Sequence, residues 1–157
     1  MGVIYLWQCN KCEYSFEAFL GYGMNGIFPE GVTEAAREGR YGKELKNLLK
    51  MYPAAVVDGE DVILQCEHCY RYEVRPLLAT YLPEVEGSEG EQYDFFWNSY
   101  WNSYGSSSDS YRFFRDYNHR CRCGHRMWPI YEEECFSGLP CPYCSGTLKP
   151  EEAGYWD

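Results

Sequence analysis

The sequence predicts a small α+β fold that is stabilised by metal and built from two zinc ribbons, which are short antiparallel β-hairpins, with a helical insertion in the first. Eight of the nine cysteines fall into four close pairs, and aromatic residues make up 18% of the 157 residues. Because a core of rings with few aliphatic residues is thin, bound metal would supply part of the stability. The pairs are Cys9/Cys12, Cys66/Cys69, Cys121/Cys123 and Cys141/Cys144.

Close cysteine pairs are typical of the metal-binding turns called knuckles. A short gap lets one tight turn present two sulfurs to the same face of a tetrahedron, and two such turns complete one four-thiolate site. We therefore predict two zinc ions per chain, with the pairs taken in chain order. An interleaved arrangement, in which the first and last knuckles share a metal, uses the same eight ligands and stays open. The predicted sites are Cys9, Cys12, Cys66 and Cys69, and then Cys121, Cys123, Cys141 and Cys144.

Residues 1–82 form the first predicted ribbon domain. Aromatic-rich runs at 5–8 and 14–20 flank the first knuckle and predict two strands joined through a metal turn. Residues 62–65 and 70–74 predict a second pair of strands around the second knuckle.

A helical insertion is predicted at about residues 33–52 of this domain. Thr33 is the expected N-cap of its first helix. A second helix follows, and its apolar side chains recur at helical spacing up to Pro53. We expect its apolar stripe to pack against the ribbon. The stripe consists of Leu45, Leu48, Leu49 and Tyr52.

Composition changes after the first domain. Residues 83–110 are acidic, aromatic and rich in serine, and residues 97–100 are repeated at once as 101–104. We interpret this stretch as a connector, and residues 111–157 as the second ribbon domain.

The N-terminal stretch resembles the FmdB-like regulatory zinc ribbons of bacteria. The resemblance implies the same ligands at the first knuckle, a regulatory role and a bacterial source. It covers about the first seventeen residues, through Tyr5, Trp7, Cys9, Cys12, Phe16 and Glu17.

The C-terminal half resembles rubredoxin-type zinc ribbons. Residues 141–144 read Cys-Pro-Tyr-Cys, similar to that family's second knuckle, and Gly124 matches the residue that follows the other knuckle. The resemblance implies that iron is an alternative to zinc in one or both sites. Cys121 and Cys123 stand one residue closer together than in that family. Three residues therefore remain alternatives to Cys121 as a ligand: His119, His125 and Cys135.

A closed four-ligand site leaves no open position for water, which favours a protein without enzymatic activity that acts as a protein-interaction or regulatory module. Iron-based electron transfer is an alternative. Thiol redox chemistry at a Cys-x-x-Cys pair needs a helix N-terminus or cationic neighbours, whereas these pairs follow strand-like runs.

The net charge of −10 favours a protein partner over nucleic acid. A nucleic-acid-associated zinc ribbon remains an alternative that would use one local basic patch. No apolar run is long enough to cross a bilayer, and the first residues carry no secretion signal, so we expect a reducing cytoplasm without membrane attachment. The basic patch comprises Arg112, Arg115, Arg120, Arg122 and Arg126.

Overall fold

A computed structural model of the chain describes residues 2–23, 29–84 and 111–156. These residues divide into two compact units. The first is formed by 2–23, 60–76 and 118–156, and the second by 29–59, 77–84 and 111–117. Each unit therefore draws on several stretches of the chain.

The described residues are mostly antiparallel β with a few short helices. In chain order the elements are β1 (Gly2–Cys9), β2 (Ser15–Gly21), α1 (Pro29–Glu38), α2 (Lys43–Met51), β3 (Val56–Val57), β4 (Asp61–Cys66), β5 (Tyr72–Pro76), β6 (Thr80–Pro83), β7 (Tyr111–Arg115), β8 (Met127–Pro129), α3 (Glu132–Ser137), β9 (Leu139–Pro140) and β10 (Thr147–Trp156).

The first unit contains one sheet in the order β5-β4-β2-β1-β10-β9, with β8 also paired to β4. The two predicted hairpins, β1/β2 and β4/β5, are confirmed as antiparallel pairs. Each hairpin gains a third antiparallel strand from the C-terminal part of the chain, because β10 pairs with β1 and β8 pairs with β4. The unit thus holds two similar three-stranded groups, β2-β1-β10 and β5-β4-β8.

Aromatic rings fill the core of this unit, as the composition predicts. Trp7 is fully buried and stacks on Phe16, with ring centroids 6.0 Å apart. Phe16 stacks in turn on Tyr72 at 5.6 Å. The Tyr72 hydroxyl donates a 2.8 Å hydrogen bond to Pro140 O, so its polar tip stays satisfied at the edge of the core.

The second unit packs α1 and α2 with the sheet β3-β6-β7. The predicted helix at Leu45, Leu48 and Leu49 is confirmed as α2, and these leucines are buried. They pack with residues of α1 and β3, so the expectation that the stripe would cover the hairpin is wrong.

The prediction of Thr33 as an N-cap is also wrong. Helix α1 begins at Pro29, and proline is favoured in the first turn because its missing N–H costs nothing there. Thr33 lies within α1 and is buried, and its Oγ1 accepts a 3.0 Å hydrogen bond from Val57 N of β3. Its hydroxyl ties α1 to β3.

Residues 85–110, which include most of the predicted connector and its tandem repeat, lie outside the described residues. Residues 111–115, at the start of the predicted second ribbon, form β7 and pair with β6 in the second unit. Within the described ranges, no helix is long and apolar enough to span a membrane.

Candidate metal centres

The first and last knuckles form one cluster of four cysteine sulfurs. Cys9 Sγ lies 3.5 Å from Cys144 Sγ, and Cys12 Sγ lies 3.7 Å from Cys141 Sγ. Cys12 and Cys144 approach to 3.5 Å. All four sulfurs lie within 4.8 Å of one another.

The two middle knuckles form a second cluster of the same kind. Cys66 Sγ lies 3.5 Å from Cys123 Sγ, and Cys69 Sγ lies 3.6 Å from Cys121 Sγ. Cys69 and Cys123 are 3.8 Å apart. These four sulfurs also lie within 4.8 Å of one another.

The structure corrects the predicted pairing of the knuckles. The predicted pairing in chain order is wrong. The first and last knuckles share one cluster and the two middle knuckles share the other, so the pairing is nested along the chain. Strand pairing is the cause. Cys9 lies opposite Leu148 on β10, whereas Cys66 lies opposite Met127 on β8. The pairing of β1 with β10 therefore places Cys9 and Cys12 beside the knuckle that precedes β10. The pairing of β4 with β8 places Cys66 and Cys69 beside the knuckle that precedes β8.

The sulfur spacing suits a tetrahedral metal ion. Four sulfurs bonded at about 2.3 Å to one zinc would stand about 3.8 Å apart, close to the separations in both clusters. A disulfide would require sulfurs about 2.05 Å apart, and the cysteines form none. Both clusters can therefore hold a metal ion.

Backbone amides point at the sulfurs, as expected for knuckles. Lys11 N donates to Cys9 Sγ at 3.4 Å, and His68 N donates to Cys66 Sγ at 3.5 Å. Gly146 N donates to Cys144 Sγ at 3.3 Å. Such donors favour the thiolate over the thiol, and the thiolate is the form that binds metal.

Ionisation of the clustered thiols is strongly uneven. Burial raises the pKa of Cys9, but amide donors and the thiols of Cys144 and Cys12 outweigh it and lower that pKa to about 6. The pKa of Cys66 is lowered to about 6 in the same way. The neighbouring thiols that stabilise these thiolates are harder to ionise. Cys12 and Cys123 each have one amide donor, but burial and the adjacent sulfurs outweigh it and raise the pKa of each thiol to about 12. A cation would be needed to deprotonate all four thiols together.

The residue after the first cysteine of each cluster joins its two knuckles, which the sequence analysis missed. Asn10 N donates to Thr147 O at 3.1 Å, and Glu67 N donates to Arg126 O at 3.1 Å. The side chains complete the link by accepting from the same partners. The sequence does show a residue with a side-chain acceptor directly after Cys9 and after Cys66. Its role could not be predicted, because the partners of that acceptor are remote in sequence.

Gly146 is a second residue that the sequence analysis missed. A Cβ at this position would lie 2.5 Å from Cys9 Sγ and 3.1 Å from Cys144 Sγ. Only glycine lets the backbone approach the first cluster so closely.

Cys121 belongs to the second cluster, and neither His119 nor Cys135 does. His119 is buried at 3% exposure. Cys135 lies on α3 in the aromatic core, where its thiol donates to Ile130 O at 3.6 Å. His125 lies beside the second cluster, with Nδ1 3.6 Å from Cys123 Sγ.

The predicted basic patch is divided between the two units. Arg112 and Arg115 lie on β7 of the second unit, and Arg115 pairs with Glu44 at 3.4 Å. The other three arginines lie in the first unit, where Arg126 stacks over the Trp128 ring at 3.6 Å. The guanidinium of Arg120 donates a 3.2 Å hydrogen bond to Gly124 O, so three of the five side chains have partners within their own unit.

Fold and clusters together define a mainly antiparallel β protein with two four-cysteine groups suited to metal. Comparison with known protein families, curated proteins and solved structures finds no match to this chain. The FmdB-like and rubredoxin-type resemblances therefore stay predictions.

Proposed function

We propose that this chain is a noncatalytic zinc-binding protein with two structural four-thiolate sites, whose role is to bind another protein. The observation that carries the proposal is the spacing of the sulfurs in each cluster, between 3.5 and 3.8 Å for the closest pairs. Four protein ligands leave no position for a reactive water, which argues against hydrolytic chemistry.

Metal binding would contribute directly to the stability of the first unit. The aromatic core and both clusters belong to that one unit. Structural zinc sites of this type contribute on the order of 10 kcal/mol to folding, because the site does not exist in the unfolded chain. Chelation is expected to unfold this unit.

Elemental mass spectrometry of untagged protein purified without oxygen tests the proposal. Two zinc ions per chain support it. Four sulfurs in a tetrahedron accept either zinc or iron. One or two iron ions per chain, with the visible colour of a ferric tetrathiolate, would therefore favour electron transfer over a structural zinc protein. A metal-free protein with full thermal stability would overturn both versions.

Exposed rings of the first unit support a protein partner. Trp128, Tyr143 and Tyr155 are 45%, 66% and 65% exposed. Aromatic residues are enriched in protein interfaces because they bury much area with little loss of side-chain entropy. A partner purified with the chain should dissociate at least about tenfold faster from Tyr143→Ser or Tyr155→Ser than from Tyr52→Ser, an exposed tyrosine of the second unit. Unchanged dissociation would place the interface elsewhere.

A further inference from the structure

His125 holds, at the second cluster, the position that Gly146 holds at the first. Each residue lies two positions after the last cysteine of its cluster. The carbonyl of His125 accepts a 2.9 Å hydrogen bond from Cys121 N, and that of Gly146 accepts one of 2.9 Å from Cys141 N. Both amides also donate to the last sulfur of their cluster. The two positions thus make the same backbone hydrogen bonds.

Both positions lie against the sulfurs of their own cluster. At the first cluster, a Cβ on Gly146 would touch the sulfurs of Cys9 and Cys144. At the second cluster the side chain is an imidazole, and Nδ1 of His125 lies 3.6 Å from Cys123 Sγ and 3.2 Å from Cys123 O. A nitrogen donor therefore stands directly beside a candidate sulfur ligand.

Solvent reaches the Cys123 thiol. It is exposed, whereas Cys66 and Cys121 are buried at 0% and 5% exposure. Imidazole nitrogen and thiolate sulfur bind zinc at similar distances, about 2.0–2.1 Å and about 2.3 Å. The nitrogen can thus fill the position that this sulfur leaves, after a side-chain movement of no more than 3.6 Å.

His68 supports the imidazole from the opposite knuckle. The rings of His68 and His125 stack with centroids 4.1 Å apart and an interplanar angle of 16°. His68 lies between Cys66 and Cys69, whereas the two knuckles of the first cluster contain no histidine. The additional nitrogen donor is therefore a feature of the second cluster.

We propose that His125 is a fifth, exchangeable ligand of the second cluster, which takes the coordination position of Cys123 when that thiolate is withdrawn. This inference rests on the proposed metal-binding function. A metal ion in the second cluster therefore keeps four ligands while Cys123 is withdrawn, which should slow the loss of metal from this cluster.

Cobalt(II) titration of the full chain tests the proposal, because thiolate-to-cobalt absorption reports each sulfur bound. Cys123→Ser should still bind two cobalt ions, with weaker thiolate absorption from the second cluster. Adding His125→Asn should weaken binding of the second ion by at least about tenfold. Adding His68→Asn instead removes the stacked ring but not the ligand, so it should weaken binding of the second ion by less than about threefold.

The first cluster is the internal control, since every variant should keep its cobalt ion. Equal cobalt affinity of Cys123→Ser with and without His125→Asn would overturn the proposal. Loss of the second ion from Cys123→Ser alone would also overturn it. Failure of the unaltered protein to bind cobalt would contradict the proposed metal-binding function instead, so the two failures are distinguishable.

Exchange kinetics provide a second readout in the four-thiolate background. A competing chelator should remove the two zinc ions of the unaltered protein in two phases. His125→Asn should speed metal removal from the second cluster by at least about threefold and leave removal from the first cluster unchanged. Identical release phases in both proteins would contradict a ligand-exchange role.

Discussion

Asn10 Oδ1 accepts a 2.9 Å hydrogen bond from Thr147 N and so joins the first knuckle of the first cluster to the strand that follows its second knuckle. Glu67 Oε1 makes the same link in the second cluster, where it accepts from Arg126 N at 3.2 Å. Glu67 also accepts a 3.2 Å hydrogen bond from the Trp128 indole. The two clusters thus repeat one construction, in which a polar residue directly after the first cysteine clamps the partner strand.

Asn10→Ala should reduce the free energy of unfolding of the zinc-loaded protein by about 1 kcal/mol, because Thr147 N loses its acceptor. Urea unfolding at equal zinc concentration measures this change. Asn10→Asp keeps the acceptor and should be less destabilising, and Asn47→Ala on the exposed face of α2 is the surface control. Equal stability of Asn10→Ala and the unaltered protein would contradict the role of the link.

Gly146→Ala should weaken metal binding at the first cluster by at least about tenfold, because the new methyl group meets Cys9 Sγ and the backbone cannot retreat without losing the hydrogen bond from Cys141 N to Gly146 O. The second cluster should keep its metal. Ser145→Ala, one position earlier and exposed, is the control that should retain both ions. Competition with a zinc indicator measures the two affinities, and an unaffected first site in Gly146→Ala would refute the close approach.

Local patterns predicted the hairpins and α2 correctly because a knuckle and its flanking strands, or one apolar stripe, are contained within about twenty residues. The pairing of knuckles could not be predicted in the same way. It follows from β1 pairing with β10 and β4 pairing with β8, and no local signal specifies partners so remote in sequence.

Thr33 shows another limit of local rules. A threonine before a helical run suits an N-cap, but burial of its hydroxyl against Val57 N outweighs that local preference. Pro29 was the better start signal, since it opens α1.

Asp61→Asn should stabilise the protein at neutral pH. Burial raises the pKa of Asp61 from 3.8 to about 6. A raised pKa means that its contribution to stability is fully present below pH 3.8 and is lost as the pH rises through about 6. Above that pH the ionised side chain should cost about 1 kcal/mol after allowance for solvent screening, and Asn removes this cost.

Unfolding by urea at several pH values measures the difference between Asp61→Asn and the unaltered protein. The gain should be largest above pH 6 and should shrink as the pH falls towards 3.8. Glu17→Gln, on the exposed face of β2, should show little change over the same range. A gain that grows as the pH falls would contradict the assignment.

Zinc binding should release at least one proton per ion at pH 7. Cys12 and Cys123, with pKa values raised to about 12, are protonated in the metal-free clusters and must lose those protons to bind. Apparent zinc affinity should therefore fall as the pH falls. Calorimetric titration in buffers of different ionisation enthalpy counts the protons, and a binding heat independent of the buffer would contradict the prediction.

The zinc content of two matched double variants tests the nested pairing of the knuckles most directly. Cys12→Ser/Cys141→Ser removes two ligands from one cluster and should retain one zinc ion per chain, whereas Cys12→Ser/Cys69→Ser damages both clusters and should retain none. The opposite result, with zinc kept in Cys12→Ser/Cys69→Ser and lost from Cys12→Ser/Cys141→Ser, would show that the knuckles pair in chain order and would contradict the account.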